Sequence, residues 1–451
     1  MKPPETKVYK RRWVILLLFV GVVVFNAVPW MQYSVLADVV STYYGVSNEM
    51  IEWTILSYNV AAMMLIVPAA FILDKYGLRP SVLSGALLTA AGLWLHVLGC
   101  WPQHWWAVLA GQAVIAIAYN FLCTASLRVA AVWFPADEAS SAVCGFLIGS
   151  MGGVSIGCFL ASRTARASWT QEENFEGFLT LNMSLAVAAT IMLVAVFFLF
   201  QQAPPLPPSP AQAAATVAAS SGHGHFFKSL RSILKHPSFI LLIICFNLMY
   251  SAYTAFLTVL NRDIMEFFPE RISETGYIAT LLSLLGMAAT MIIGIILDKT
   301  KKFKELSLIT YFGALTSIVM YSICIATTSM EVLYVVVGIM GMFMSGYFVT
   351  GYEMAVELTY PEPEGNPTSI LKWFVQPCSM VAALAYSRLF AAWGPHVAHG
   401  FLVVLLAAGF LAQLCIPKRY RRLEAELALS EAAASGGGRR GGEPLIRRPE
   451  S

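Results

Sequence analysis

The sequence predicts an all-α membrane protein of twelve transmembrane helices, built as two six-helix halves with both chain ends in the cytosol. Of its 451 residues, 58% are apolar and 12% are charged, whereas soluble domains carry about 25% charged residues. The apolar residues form continuous runs of about 20, the length of a helix that crosses a hydrocarbon core. Because lipid cannot hydrogen-bond the backbone and the runs do not alternate, helices are predicted and a β-barrel is excluded.

Twelve apolar segments follow one another along the chain. They lie near residues 13–39, 50–73, 80–100, 104–134, 139–162, 178–201, 238–260, 275–297, 305–327, 331–357, 367–391 and 397–417. A segment rich in Pro, Ala, Ser and Gly separates the sixth from the seventh and cannot form a core, which indicates a linker. The predicted organisation is a cytosolic tail (1–12), an N-terminal six-helix bundle (13–201), a cytosolic linker (202–237), a C-terminal six-helix bundle (238–417) and a cytosolic, largely disordered tail (418–451).

Basic residues are distributed very unequally between the two sides of the predicted membrane. Of the 29 Lys and Arg residues, 22 lie in the tails, the linker and the loops on the same side, and four lie in the opposite loops. Cytosolic loops are enriched in Lys and Arg. Both termini are therefore predicted to be cytosolic.

A short motif recurs at the end of the second helix of each half. Asp74, Lys75 and Arg79 follow the second span, and Asp298 and Lys299 follow the eighth. Such an Asp can cap a neighbouring helix, and the basic residues hold the cytosolic face. A single copy would indicate only a basic loop, but two copies at matching positions indicate an internal repeat. The motif resembles the loop signature of the major facilitator superfamily, which implies two halves that rock about a central site.

Polar and aromatic side chains within several spans predict a solute cavity, because such groups are costly against lipid and face the bundle interior. In the first span Pro29 predicts a bend near the middle of the membrane. For each residue an interhelical hydrogen bond is the alternative to substrate contact. Together they favour a compact organic cation held by cation–π contacts, or an amphipathic neutral solute. The candidate substrate-binding residues are Trp30, Gln32, Tyr33, Tyr119, Asn120, Asn247, Tyr250, Tyr253, Thr254 and Gln376.

Charged side chains within the spans are few and predict gating positions. Arg128 lies near the cytosolic end of the fourth span, and Glu353 and Glu357 share one face of the tenth. We hypothesise that Arg128 pairs with Glu357 across the halves as a cytosolic gate, the alternative being local anchoring of each half. Glu353 is a further gating candidate, and Lys372 is expected to extend its ammonium toward the cytosol.

No catalytic residue, metal site or cofactor is predicted. The eight cysteines lie mostly in apolar runs and are interpreted as small hydrophobic residues. No span carries a nucleophile and base pair, so an enzyme is not expected. His96 alone lies clearly within a span, and paired axial ligands for haem are absent from the predicted cavity.

Several stretches resemble the solute carrier 49 family, the feline leukaemia virus subgroup C receptor-related transporters. They are Arg-Arg-Trp at 11–13, Asn-Ala-Val-Pro-Trp-Met-Gln-Tyr-Ser at 26–34, Leu-Asp-Lys-Tyr-Gly-Leu-Arg at 73–79, Ala-Val-Trp-Phe at 131–134 and Glu-Leu-Thr-Tyr-Pro-Glu-Pro-Glu-Gly at 357–365. The resemblance implies transport of choline and ethanolamine in some members, with haem export proposed for one and pyridoxine for another.

The same resemblance assigns roles to particular residues. It implies that Trp30 and either Tyr253 or Thr254 enclose an ammonium group, and it places Gln376 at a family glutamine. Met151 stands where the choline-carrying members have a glutamine, which leaves the substrate open.

The expected function is transport of a small organic solute by alternating access, with a choline- or ethanolamine-like cation as the first candidate. A haem or porphyrin transporter and a membrane receptor or scaffold are the alternatives. The expected partners are the solute and the lipid bilayer, with no nucleic acid and with a monomeric chain. The plasma membrane is favoured over an endolysosomal membrane.

Overall fold

A computed structural model describes residues 7–165, 169–206, 233, 235–327, 329–359 and 365–418, and the regular secondary structure within these ranges is helical. The longer helices are α1 (Arg11–Ala27), α2 (Ala37–Tyr44), α3 (Asn48–Tyr76), α4 (Leu78–Leu98), α5 (Trp105–Trp133), α6 (Ala136–Thr164), α7 (Gln171–Leu199), α8 (Pro237–Phe267), α9 (Thr275–Thr300), α10 (Phe303–Thr327), α11 (Met330–Thr359), α12 (Gly365–Trp393) and α13 (Pro395–Leu414).

The first helix is interrupted at the expected proline. α1 ends at Ala27, and two short 3₁₀ turns, Val28–Trp30 and Ser34–Leu36, precede α2. Proline has no N–H to donate and its ring crowds the preceding turn, which favours a break at Pro29, although α3 and α12 continue through Pro68 and Pro377. The Gln112 side chain donates a hydrogen bond of 2.9 Å to the carbonyl of Pro29, which satisfies one backbone group that the break exposes.

Ten segments in the described part of the chain are long and apolar enough to cross a membrane, the first being Arg11–Tyr44 across the break. α3 and α12, of 29 residues each, are not among these ten. The described residues include both ends of the predicted linker. Residues 207–232 and 234 lie outside the described ranges, as does most of the predicted C-terminal tail.

The helices pack as two groups with the same pattern of neighbours. In the N-terminal group (α1–α7), α1 contacts α6 and α7, and α5 contacts α3 and α4. In the C-terminal group (α8–α13), α8 contacts α12 and α13, and α11 contacts α9 and α10. The groups meet through α3 against α12 and α6 against α9. A single arrangement of contacts is therefore used twice.

The bundle has two chemically distinct ends. The basic end holds Arg11, Arg79, Lys304 and Lys418, and contacts tie its parts together. Arg79 Nη2 donates to the carbonyl of Phe197 at 2.8 Å, Lys304 Nζ donates to that of Leu414 at 3.1 Å, and Lys418 pairs with Glu305. We refer to the other end, where α2 ends and α3 begins, as the opposite end.

α6 approaches the break in the first helix unusually closely. A Cβ added at Gly157 would lie 2.0 Å from the carbonyl oxygen of Val28, and one added at Gly153 would lie 2.6 Å from that of Val24. Any larger residue at Gly157 would collide with backbone. Glycine on α6 therefore fixes where the 3₁₀ segment with Trp30 lies.

Candidate functional site

A central cavity lies between the two groups of helices and encloses about 1080 Å³ of empty space, open solvent included. Its wall receives residues from α3, α5, α6, α8, α9, α11 and α12 and from the broken first helix. Aromatic rings form much of the described wall. They are Trp30, Tyr58, Tyr119, Phe146, Tyr250, Tyr253, Phe348 and Tyr352.

These rings contact one another and form two facing arcs. On the N-terminal side, the Trp30 and Tyr58 ring centroids are 6.5 Å apart, and Tyr58 lies 6.1 Å from Tyr119. On the C-terminal side, Phe348 lies 5.2 Å from Tyr250 and 5.6 Å from Tyr253. Aromatic faces carry negative potential and attract cations. We call Trp30, Tyr58, Tyr250, Tyr253 and Phe348 the aromatic cage.

Several polar groups on the same wall have hydrogen-bonding capacity to spare. Asn59 and Ser345 are buried, and the Asn59 Nδ2 and Ser345 Oγ atoms have no hydrogen-bond partner within the described structure. Gln376 also lines the wall. Buried polar groups normally have partners, so a polar solute is a suitable occupant of this cavity.

Lys372 is placed differently from the expectation. Instead of extending to the cytosol it lies on the cavity wall, with Nζ 3.3 Å from Cys123 Sγ and 5.4 and 5.5 Å from the ring centroids of Phe146 and Tyr352. α12 already begins at Gly365, about 10 Å below Lys372 at 1.5 Å per residue. The two rings and the sulfur offer the ammonium nearer contacts than the membrane surface does.

Half of the candidate substrate residues lie on the cavity wall: Trp30, Tyr119, Tyr250, Tyr253 and Gln376. Asn120 lines a smaller space beside it and donates to the Ala116 carbonyl at 2.9 Å. The sequence left the choice open between Tyr253 and Thr254; Tyr253 lines the cavity, whereas Thr254 is outside its lining.

Gln32, Tyr33 and Asn247 lie away from the cavity. Gln32 Nε2 donates to Asn182 Oδ1 at 3.0 Å, and Asn247 Nδ2 donates to the Ile243 carbonyl at 2.6 Å. The Tyr33 ring is packed against Trp105 and other rings. The 3₁₀ turns change the direction of successive side chains, so residues two and three positions beyond Trp30 point into the helix packing.

Sequence reasoning missed a polar cluster that joins the two groups at the opposite end. The Arg262 Nη1 atom donates to Glu52 Oε1 at 3.1 Å and to Ser387 Oγ at 2.9 Å, and Ser387 Oγ donates to Glu52 Oε1 at 2.6 Å. The Arg262 guanidinium also lies 4.9 Å from the Phe390 ring centroid. We call Glu52, Arg262 and Ser387 the Arg262 cluster. A Glu inside the second span and an Arg just past the predicted end of the seventh were its only sequence signals.

A second missed cluster lies wholly within the C-terminal group. Asp263 is fully buried and accepts hydrogen bonds from Tyr321 at 3.1 Å and Tyr386 at 3.3 Å. His399 Nε2 lies 3.1 and 3.2 Å from its two carboxylate oxygens. We call these four residues the Asp263 cluster. It joins α8, α10, α12 and α13.

Comparison with known proteins identifies the architecture. The family model described as Major Facilitator Superfamily matches residues 14–362. The chain is 32% identical over 419 residues to the choline/ethanolamine transporter flvcr2b of Danio rerio, covering 93% of this chain and 86% of that protein. It is 30% identical to the choline/ethanolamine transporter FLVCR2 of Homo sapiens, covering 93% and 80%. The chain belongs to the Major Facilitator Superfamily, in the solute carrier 49 family of FLVCR transporters.

Solved structures of this superfamily share the fold. The Escherichia coli fucose:proton symporter FucP aligns with a TM-score of 0.65 at 12% identity, covering 91% of this chain and all of that one. A bacterial homologue of the human lysosomal transporter Spinster, in an inward-facing and unoccupied conformation, aligns with a TM-score of 0.67 at 13% identity, covering 90% and 98%. The family assignment made from the motifs is confirmed.

The structure describes the basic side chains of the superfamily motif but not its two aspartates. The side chains of Asp74 and Asp298 lie outside the described part of the structure. Lys75 Nζ lies 5.3 Å from the Tyr76 ring centroid, and Lys299 is exposed at the end of α9. Arg79 caps the end of α7, as given above. The gating roles of these residues, and of Arg128, Glu353 and Glu357, therefore stay predictions.

Haem is the less supported cargo for this family member. His96 is fully buried, and a Cβ at Gly111 would lie 2.5 Å from its ring, so the ring is enclosed by packed helices away from the cavity. The curated relatives above bear choline and ethanolamine in their names.

Proposed function

We propose that this transporter carries a small solute with an ammonium head group, of the choline or ethanolamine type, by alternating access. The observation that carries the proposal is the aromatic cage, which lies between the two groups of helices and includes Trp30 and Tyr253. Cation–π contacts recognise ammonium groups without a carboxylate, and the described wall has none. The names of the relatives support the same solute class.

Alternating access requires that one end close while the other opens. Several side-chain hydrogen bonds between described residues join the two groups at the opposite end. There the Arg262 cluster is joined by the Asn261 side chain, which donates to the Val35 carbonyl at 3.0 Å and to Asp38 Oδ1 at 3.3 Å. These contacts support a conformation closed at the opposite end, from which solute would leave or enter at the basic end.

The proposed topology has twelve spans. α3 and α12 are long enough to cross a bilayer at 1.5 Å per residue, and they pack against each other between the two groups, so we count them with the ten apolar segments. The basic end is then cytosolic, with both termini, in agreement with the distribution of Lys and Arg. The repeated neighbour pattern supports the division into bundles 13–201 and 238–417. We propose a monomer in the plasma membrane.

Transport by purified protein in lipid vesicles tests the proposal. Uptake of labelled choline, ethanolamine and haem is compared between the wild type, Trp30→Ala and Trp106→Ala. Trp106 is 62% exposed at the opposite end and serves as a matched control. Cation–π contacts contribute up to about 2 kcal/mol, so Trp30→Ala should raise the half-saturating concentration about tenfold or more, whereas Trp106→Ala should leave it unchanged. Uptake of haem alone, or uptake indifferent to Trp30→Ala, would refute the proposed function.

A further inference from the structure

Lys372 gives the cavity a net positive charge within its described lining. The residues around the main cavity and the smaller space beside it include Lys372 and no Asp or Glu. The ion pairs between described residues do not involve Lys372. Like charges repel more strongly in a site of low dielectric constant than in water. Lys372 therefore lowers the affinity of this cavity for a simple monocation, relative to an amine that also carries a negative group.

The ammonium of Lys372 lies beside the aromatic cage, toward the basic end. On α11, Phe348 packs against Tyr253 in the cage, and Tyr352, one turn further along, has the Lys372 ammonium 5.5 Å from its ring centroid. The four residues from Phe348 to Tyr352 advance about 6 Å along the helix axis. The fixed positive charge thus lies about one turn of α11 beyond Phe348, and Tyr250 of the same arc lines the smaller space beside it.

The rings nearest to Lys372 are already used by its own ammonium. Phe146 and Tyr352 each have the Lys372 Nζ atom within 5.5 Å of the ring centroid, the arrangement of a cation–π contact. The rings of Trp30, Tyr58 and Tyr253 have no such cation among the described contacts. The cavity therefore combines aromatic rings that are available to a substrate cation with the fixed ammonium of Lys372 beside them.

We propose that Lys372 selects a zwitterionic substrate. Its ammonium head is enclosed by Trp30 and Tyr253, and its anionic group, a carboxylate or a phosphate, pairs with the Lys372 ammonium. The negative group of the substrate neutralises the Lys372 ammonium, which a simple amine leaves uncompensated. Hydrogen bonds from Lys to a carboxylate or a phosphate are also stronger than hydrogen bonds between neutral groups. The proposal rests on the proposed function: it keeps the ammonium site and ranks amines that also carry a negative group above choline and ethanolamine, which the same site binds more weakly.

Equilibrium binding to the full-length protein in detergent tests this selection. The probes are choline, glycine betaine, which adds a carboxylate to the trimethylammonium group, and phosphocholine, which adds a phosphate. The variants are Lys372→Gln, Lys372→Arg and the control Lys302→Gln, which removes an exposed charge at the basic end. Thermal unfolding without ligand verifies that each variant is folded, and Lys372→Met replaces Lys372→Gln if the latter is not.

We expect the wild type to bind one of the two zwitterions about tenfold or more tightly than choline, a difference that one charge-assisted contact can supply. Lys372→Gln should remove this preference, whereas Lys372→Arg and Lys302→Gln should keep it. The preferred zwitterion distinguishes a carboxylate from a phosphate partner. Choline binding as tight as that of both zwitterions, failure of the folded wild type to bind either zwitterion, or a preference that survives Lys372→Gln would overturn the proposal.

Vesicle transport separates this inference from the proposed function. If a zwitterion binds in a Lys372-dependent manner but no probe crosses the membrane, the substrate assignment stands and the proposed transport fails. If choline is carried through a Trp30-dependent site and its ratio to the zwitterions is indifferent to Lys372→Gln, the proposed function stands and this inference fails.

Discussion

Arg262 and Glu52, which stand 210 residues apart in the sequence, form an ion pair of 3.1 Å between the two groups of helices. Their side chains are only 16% and 6% exposed, so each charge depends on the other for compensation. Ser387 bridges them from a third helix. Because the pair spans the proposed line of movement, it can exist only while the opposite end is closed.

Removing one member of this pair should destabilise the closed state. Loss of one partner of a buried ion pair costs about 3 kcal/mol, so Glu52→Gln and Arg262→Gln should each shift the population toward a form open at the opposite end. Cys158 is a natural reporter, since it is fully buried and its carbonyl faces Gly276 across the interface. Its modification by a membrane-impermeant thiol reagent, located by mass spectrometry, should rise several-fold.

The exchange Glu52→Arg with Arg262→Glu serves as the control for that prediction. It keeps one charge of each sign at the interface, so labelling of Cys158 should return toward the wild-type level. Equal labelling in the wild type and both single variants would show that the pair does not hold the opposite end closed.

Tyr253 and Thr254 should differ sharply in their effect on solute affinity. Tyr253 lines the cavity and contacts Phe348, whereas Thr254 is 1% exposed and lies outside the lining. Loss of a desolvated cation–π contact costs about 2 kcal/mol. Tyr253→Ala should thus raise the half-saturating concentration for transport about tenfold or more, and Thr254→Ala should change it less than about twofold. A larger effect of Thr254→Ala than of Tyr253→Ala would show that the ammonium site lies on the Thr254 face of α8 instead.

The sequence predicted those parts of the site that depend on local chemistry. Trp30 could be assigned to the cavity because Pro29 predicts a break in the helix beside it, and the structure has that break. Lys372 could not be assigned to the cavity from the sequence, because a lysine at that depth either extends to the membrane surface or turns inward. Its contacts with the rings of Phe146 on α6 and Tyr352 on α11 decide between these two directions. The Arg262 cluster also depends on contacts between distant segments, for which a sequence has no periodic signal.

Asp263 should be among the residues on which the C-terminal group depends most for stability. Asp263→Asn removes the charge that Tyr321, Tyr386 and His399 surround. Because their polar groups are buried and would lose a strong acceptor, the free energy of unfolding should fall by about 3 kcal/mol. Thermal unfolding in detergent measures the effect, with Glu266→Gln as the matched control on the exposed side of α8. Equal unfolding temperatures for both variants would contradict this prediction.

Replacement of Gly157 by alanine should destabilise the protein, whereas the same replacement of Gly152, on the same helix, should be tolerated. An alanine Cβ at Gly157 would lie 2.0 Å from the Val28 carbonyl oxygen, whereas one at Gly152 would meet nothing within 4 Å. Overpacking of this kind costs about 1–3 kcal/mol. Gly157→Ala should also lower solute affinity, since it displaces the segment that carries Trp30. Thermal unfolding and transport of the two variants check the prediction, and similar behaviour of both would contradict it.

Arg128 and Glu357 provide the corresponding test at the basic end. Glu357 is 5% exposed on α11, and Arg128 lies on α5 in the other group. A buried carboxylate within a membrane helix requires compensation, and we predict that Arg128 supplies it when the basic end closes. Arg128→Glu and Glu357→Arg should each reduce transport by about tenfold or more, because two like charges then face each other as the groups approach. The double variant restores one charge of each sign and should regain most of the lost transport. If it transports no better than either single variant, the two charges anchor their own groups, and another contact closes the basic end.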